Sequence, residues 1–188
     1  MRRFIDLQIL PDRGKTADLL SHARQLGYSA VGCVGDKPSD APINVVSRLD
    51  IAPRSQQDLG RALNRSRLKH EVISVLCLSK GVARQAAKDP RVDLLRFPGN
   101  PSRRKNVWLD RQNASAAGVG GCSYEVVARD LLTQDPGTLG YLIKQLRKEV
   151  VNARRYDVPV VVSTSVLTGI GLEETIDEIE RILTGKEG

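Results

Sequence analysis

The chain has 188 residues, 40% of them hydrophobic and 27% charged. That is long and apolar enough to bury a core, which excludes a disordered, collagen-like or disulfide-stapled chain and suits a single domain over residues 1–188. Lys and Arg outnumber Asp and Glu by 29 to 22, a formal net charge of +7, and such a surplus favours polyanionic partners such as nucleic acid.

Taken in chain order, the first apolar run, Phe4–Leu10, reads as a strand. Thr16–Leu26 follows as a helix that puts Leu19, Leu20, Ala23 and Leu26 on one face and stops at Gly27. Strands are expected at Tyr28–Cys33 and Ile43–Ile51, with Gly35–Pro42 between them as the most loop-like segment. Ser55–Leu68 reads as a helix opened by Ser55 and Asp58 in a short variant of a capping box. Further strands are expected at Val72–Leu78, Val92–Leu95 and Val119–Val126. A long helix is marked by Leu139, Leu142, Ile143, Leu146 and Val150, a strand by Val158–Val162, and a last helix by Leu172, Ile176, Ile179 and Leu183. Most of the strands are near-continuous apolar runs, as in parallel strands covered on both faces. Regular alternation of strand and helix predicts an α/β chain, either doubly wound or a compact barrel, and a full eight-fold barrel usually needs about 250 residues.

Several patterns touch on chemistry without completing it. Gly14-Lys15-Thr16 resembles the end of a phosphate-binding loop, but the required upstream glycine is Ile9. Ser163–Glu174 resembles the last guanine-binding stretch of small GTPases, yet no Asn-Lys-x-Asp motif occurs. Gly118-Val119-Gly120-Gly121 is followed by Ser123 where a dinucleotide fingerprint needs its last glycine, so close backbone packing explains it better. Cys33, Cys77 and Cys122 are odd in number and lack CxxC spacing, which argues against disulfides and zinc and for small core residues. His22 and His70 are the only histidines and form no metal-binding pair. Trp108, the one tryptophan, is expected in the core. No signal-peptide pattern and no apolar run of about 18 residues occurs, so a soluble, cytoplasmic protein is expected.

The basic residues are clustered. Between Lys80 and Arg111 lie nine cations and only three acids, Asp89, Asp93 and Asp110. The Pro98–Ser102 loop should project Arg103, Arg104 and Lys105 at a rim, with Arg96 and Arg111 nearby. Arg61, Arg65, Arg67 and Lys69 form a second cluster, and Arg147, Lys148, Arg154 and Arg155 a third. Donors of this kind neutralise phosphates and read shape rather than sequence. The candidate RNA-binding residues are therefore Arg61, Arg65, Arg67, Arg96, Arg103, Arg104, Lys105 and Arg111. With 4% aromatic residues, base stacking is a minor mode.

The order of several short motifs resembles the archaeal and eukaryal protein component 3 of ribonuclease P, the thirty-kilodalton subunit family. They are Phe4-Ile5-Asp6-Leu7, Leu26-Gly27-Tyr28, Arg91-Val92-Asp93-Leu94-Leu95-Arg96-Phe97-Pro98 and Tyr156-Asp157-Val158-Pro159 followed by Ser163-Thr164-Ser165. The resemblance spans about residues 4–183. It implies a compact, irregular TIM-like barrel of about seven parallel strands, related to the polymerase-and-histidinol-phosphatase metalloesterases. Those enzymes carry Asp-x-His-x-His on the first strand, whereas Gln8 and Leu10 stand at the two histidine places here. The resemblance thus implies no catalytic, metal or cofactor site on the chain itself. It implies a subunit of an endoribonuclease whose catalytic RNA removes the 5′ leader of precursor tRNA with Mg²⁺. Its partners would be that RNA, precursor tRNA, component 2 and other protein subunits, with no membrane. Members of the family continue past the last helix with a further strand, and this sequence stops at Thr184–Gly188, so a barrel closed by fewer elements is expected. The alternatives weighed are a metal-dependent phosphoesterase of the same barrel type and a nucleotide-binding protein.

Overall fold

A computed structural model describes residues 4–10, 16–35 and 37–163, with backbone alone at 4–7 and 132. Gly14, Lys15 and everything from Thr164 onward, including the helix expected at Leu172–Leu183, lie outside the described residues. The strands are β1 (Phe4–Ile9), β2 (Tyr28–Val34), β3 (Asn44–Ile51), β4 (Val72–Leu76), β5 (Leu94–Arg96), β6 (Ser123–Val127) and β7 (Val160–Ser163). They form one all-parallel sheet in chain order. The sheet curls until β1 lies near β7, although no ladder joins them among the described residues. This is the expected TIM-like α/β architecture. Among the described residues no helix is long and apolar enough to cross a membrane.

The helices are α1 (Thr16–Gln25), α2 (Gln56–Ser66), α3 (Lys80–Lys88), α4 (Pro101–Arg104), α5 (Arg111–Gly120), α6 (Arg129–Leu132) and α7 (Pro136–Arg155). Local chemistry fixes their starts. Ser55 Oγ accepts from Asp58 N at 3.1 Å and opens α2. Ser79 Oγ accepts from Val82 N and opens α3. Asp135 accepts from Gly137 N and Thr138 N, with Pro136 in the first turn, so α7 begins three residues before Leu139. Leu59 and Leu63, one turn apart on α2, are fully buried, each adding about 1.5–3 kcal/mol of burial free energy. Val82, Ala83, Ala86 and Ala87 make the corresponding stripe on α3. These stripes cover one face of the sheet, where Val75, Leu95 and Tyr124 sit in register on β4, β5 and β6. A second cluster joins Leu19, Leu20 and Ala23 of α1 to Val31, Cys33 and Val45 of β2 and β3. All three cysteines are buried and free, and burial raises their thiols, Cys122 up to about 11.

One expected strand is corrected. Val119 is not in β6 but lies in the last turn of α5, an Ala- and Gly-rich helix that runs to Gly120, so the strand begins only at Ser123. Its glycines do pack closely, as expected. A Cβ on Gly118 would lie 2.2 Å from the Tyr156 carbonyl oxygen, and one on Gly120 2.3 Å from that of Ala87. Gly121, at φ +76°, then caps the helix in the left-handed region and turns the chain into β6.

Candidate nucleic-acid interface

The inner face of the curled sheet is charged. Arg48 on β3 donates from Nη1 and Nη2 to the Glu125 carboxylate on β6, at 2.6 and 2.7 Å. Its Nε donates to Asp50 at 2.6 Å. Ser74 on β4 donates to Glu125 at 2.9 Å, and Ser163 on β7 also donates to it. Gln8 on β1 donates to Asp50 at 2.6 Å. Five strands thus meet through one hydrogen-bonded set. Burial opposes the charges of Arg48 and Glu125, but each outweighs that for the other: the guanidinium holds Glu125 below the usual carboxylate range, and the carboxylates hold Arg48 above its own. Arg48 and Asp50 stand two apart, hence on the same face of β3.

Above this set, at the C-terminal ends of the strands, lies a cavity of about 560 Å³. This is the end at which parallel β/α barrels carry their sites. Gln8, Asp50, Arg96, Arg103, Arg129 and Asp130 line it. Three guanidinium groups face two carboxylates there, and Asp50 is already engaged by Arg48, Gln8 and, at 3.6 Å, Arg96. Burial raises the pKa of Asp130, with Arg96, Arg104 and Arg129 pulling the other way. The basin suits phosphate better than a cation. Its two first-strand places hold Gln8 and Leu10, and its carboxylates are met by arginines, so this donor set does not fit a zinc ion. Among the described residues no group of three His, Cys, Asp or Glu could hold a metal.

The eight candidate residues are not one patch. Arg96 and Arg103 meet in the basin, joined by Arg129, which the sequence reading left out. Lys105 is exposed just past α4. Arg61 and Arg65 are exposed on α2. Arg67 is tied to the carboxylate of Asp93, which also accepts from Ile73 N at 2.7 Å, so it braces β4 against β5. Arg111 is exposed at the start of α5, away from the basin lining.

Arg104 is a correction. It does not project from the rim; it is buried and bonds Glu149 of α7 from Nε at 3.0 Å and from Nη2 at 2.5 Å. It also donates to the Tyr124 hydroxyl at 2.8 Å and to the Pro98 carbonyl at 2.9 Å. The reason is helical phase. Asn100 caps Ser102 N and Pro101 starts a one-turn helix, α4, so Arg103 and Lys105 face out while Arg104 turns in. Burial opposes the Arg104 charge, but Tyr124 and Glu149 hold it firmly protonated. Trp108 is a second correction: it is only partly buried and lines an outer cleft.

Comparison with known proteins decides the kinship. The family model RNase P subunit p30 matches residues 3–177. This chain belongs to that family. Curated relatives named ribonuclease P protein component 3 include one from Methanosarcina barkeri, 27% identical over 181 residues, covering 90% of this chain and 74% of the relative. Another, from Methanococcoides burtonii, is 24% identical, covering 91% and 74%. A chain in a cryo-EM structure of archaeal ribonuclease P with mature tRNA superposes with a TM-score of 0.79 at 19% identity, over 96% of this chain and 82% of that one. Histidinol phosphate phosphatase from Lactococcus lactis, complexed with zinc, L-histidinol and phosphate, superposes at 0.58 with 9% identity, over 96% and 92%. The p30 family membership and the shared fold both agree with the resemblance read from the motifs.

Proposed function

We propose that this chain works as a protein subunit of ribonuclease P and supports the catalytic RNA that removes the 5′ leader of precursor tRNA. The observation that carries the reading is the p30 family match over residues 3–177. The basin supplies a physical means. Arg96, Arg103 and Arg129 converge at the strand ends, and Lys105 is exposed at the end of the one-turn helix that carries Arg103. Each phosphate that such a side chain neutralises releases counterions, so binding falls with salt by roughly 0.7–0.9 in logarithmic slope per contact. A backbone held this way lets RNA helices approach each other at lower Mg²⁺. The chain itself supplies no catalytic group and binds no cofactor; Mg²⁺ serves the RNA. The same reading takes the chain as a single-domain subunit that works in the cytoplasm with component 2 of the same enzyme as its protein partner.

The test is precursor-tRNA cleavage at limiting Mg²⁺ by a reconstituted particle, with and without this chain, beside the chain alone. Activity that rises with the chain and needs the RNA supports the reading. Cleavage by the chain alone, or no effect on the particle, overturns it.

A further inference from the structure

Helix α5 is sunk into the surface. Its outer length is built from Gln112, Ser115, Ala116 and Val119, and its glycines press onto Ala87 and Tyr156, at the ends of α3 and α7. A helix of small side chains held this close leaves a trough between its taller neighbours. Two cavities of about 750 and 670 Å³ lie along it and share Arg111 and Gln112. None of the residues lining them lines the strand-end basin.

The trough combines two features. Its floor and wall expose apolar groups: Val119 is 90% exposed and Val151 64%, two of the four large exposed apolar residues among those described. Trp108 is partly open at one end. Its rim is cationic, with Lys88, Arg111, Arg147 and Lys148 against the single acid Asp110, which is occupied in capping Asn113 N at 2.8 Å.

We propose that this trough is the seat of a partner protein subunit, which lays an acidic, amphipathic helical segment along α5. The proposal rests on the ribonuclease P reading above. The ten residues of α5 span about 15 Å, the length of roughly ten helical residues in a partner. An amphipathic helix in an apolar groove places its apolar side chains on Val119, Val151 and Trp108 and its acids on the rim. Tryptophan and arginine are the residues that most often carry such interfaces. A second copy of this chain meeting the trough with its own would oppose four cations to four, which like-charge repulsion disfavours. RNA would satisfy the rim but would gain nothing from two exposed valines.

The experiment measures affinity of the full chain, by calorimetry, for two separate probes: purified ribonuclease P protein component 2 and the catalytic RNA. Val119→Glu with Val151→Glu, and Arg147→Glu with Lys148→Glu, are each expected to weaken component 2 binding at least tenfold. Leu68→Glu, on a side chain 99% exposed at the end of α2, is the matched control and should bind as wild type. Circular dichroism and melting of each variant separate lost binding from lost folding, and the charge-reversed pair provides a second route if the valine variants misfold. The apolar pair should leave RNA affinity unchanged. Trough variants that bind component 2 as wild type overturn the seat. So does a loss of RNA binding with component 2 binding intact, which would make the trough an RNA surface. A wild-type chain that binds neither probe overturns the ribonuclease P reading itself.

Discussion

Arg48 and Glu125 lie 77 positions apart in the chain, yet two hydrogen bonds of 2.6 and 2.7 Å join them inside the curled sheet. Both side chains are fully buried. A buried pair is strained more by losing one partner than by losing both. Glu125→Ala should therefore destabilise the fold by about 3–5 kcal/mol, because it takes the bidentate partner from the buried Arg48 and leaves that charge to Asp50 alone among its carboxylates. The double variant Arg48→Met/Glu125→Leu should recover most of that loss. Urea denaturation of the three variants checks it; a double variant no more stable than Glu125→Ala would refute the account.

Acid should unfold the protein partly through the same carboxylate. Glu125 has a native pKa below its ordinary 4.5. Its contribution is complete above about pH 4.5 and is lost as the pH falls through the lowered native value. Asp89, lowered by Arg91 from 3.8, acts in the same direction. Asp130 is opposite in sign: burial raises it above 3.8, so its contribution is complete below that pH and is lost as the pH rises. Melting temperature against pH should show a shallower acid limb for Glu125→Gln. Asp130→Asn should gain stability relative to wild type at neutral pH, and a loss there would contradict the burial argument.

Arg103 and Arg104 are adjacent in sequence and should fail in different ways. Removing Arg103 together with Arg129 should leave the melting temperature near wild type and flatten the salt dependence of RNA binding by roughly 0.7–0.9 per lost contact. Arg104→Ala instead strands Glu149, which is buried and bonded to Arg104 and Tyr124, and should destabilise by about 3–5 kcal/mol. Thermal melts beside RNA titrations at several salt concentrations separate the two. A salt slope unchanged in the Arg103/Arg129 variant would remove the basin from the RNA interface.

Glycine-to-alanine exchange in helices should change sign with position. Gly140 in α7 has open space where a Cβ would go, so Gly140→Ala should stabilise by about 0.5–1 kcal/mol. Gly118→Ala and Gly120→Ala would push a methyl into backbone carbonyls at 2.2 and 2.3 Å, and each should destabilise by about 1–3 kcal/mol. Chemical denaturation of the three variants is sufficient.

Much of the architecture was legible because apolar runs announce buried parallel strands. The seven strands and the caps at Ser55 and Gly27 follow from local pattern; their order in the sheet does not. Val119 was misplaced because an apolar residue beside glycines looks like a strand entrance; only the approach to Ala87 and Tyr156 shows why a helix fits there. Arg104 was misplaced because a run of three cations carries no sign of phase until a one-turn helix sets it. The lone charges Arg48, Asp50 and Glu125, set within otherwise apolar strands, were the one available signal of the inner network. Which of them pair depends on how the sheet curls, and that is not written in any local window. Arg129 joined the basin for the same reason: it follows β6 directly and meets Arg96 only through the parallel order of the strands.

The length of chain between Arg48 and Glu125 also bears on how the protein is made. At 5–20 residues per second, a ribosome needs roughly 4–15 s to deliver Glu125 after Arg48 has emerged. Through that interval the first half of the sheet holds a guanidinium whose charge is met by Asp50 but not yet by its bidentate partner. The tie between the third and sixth strands is thus a late one, available only once Glu125 has been added.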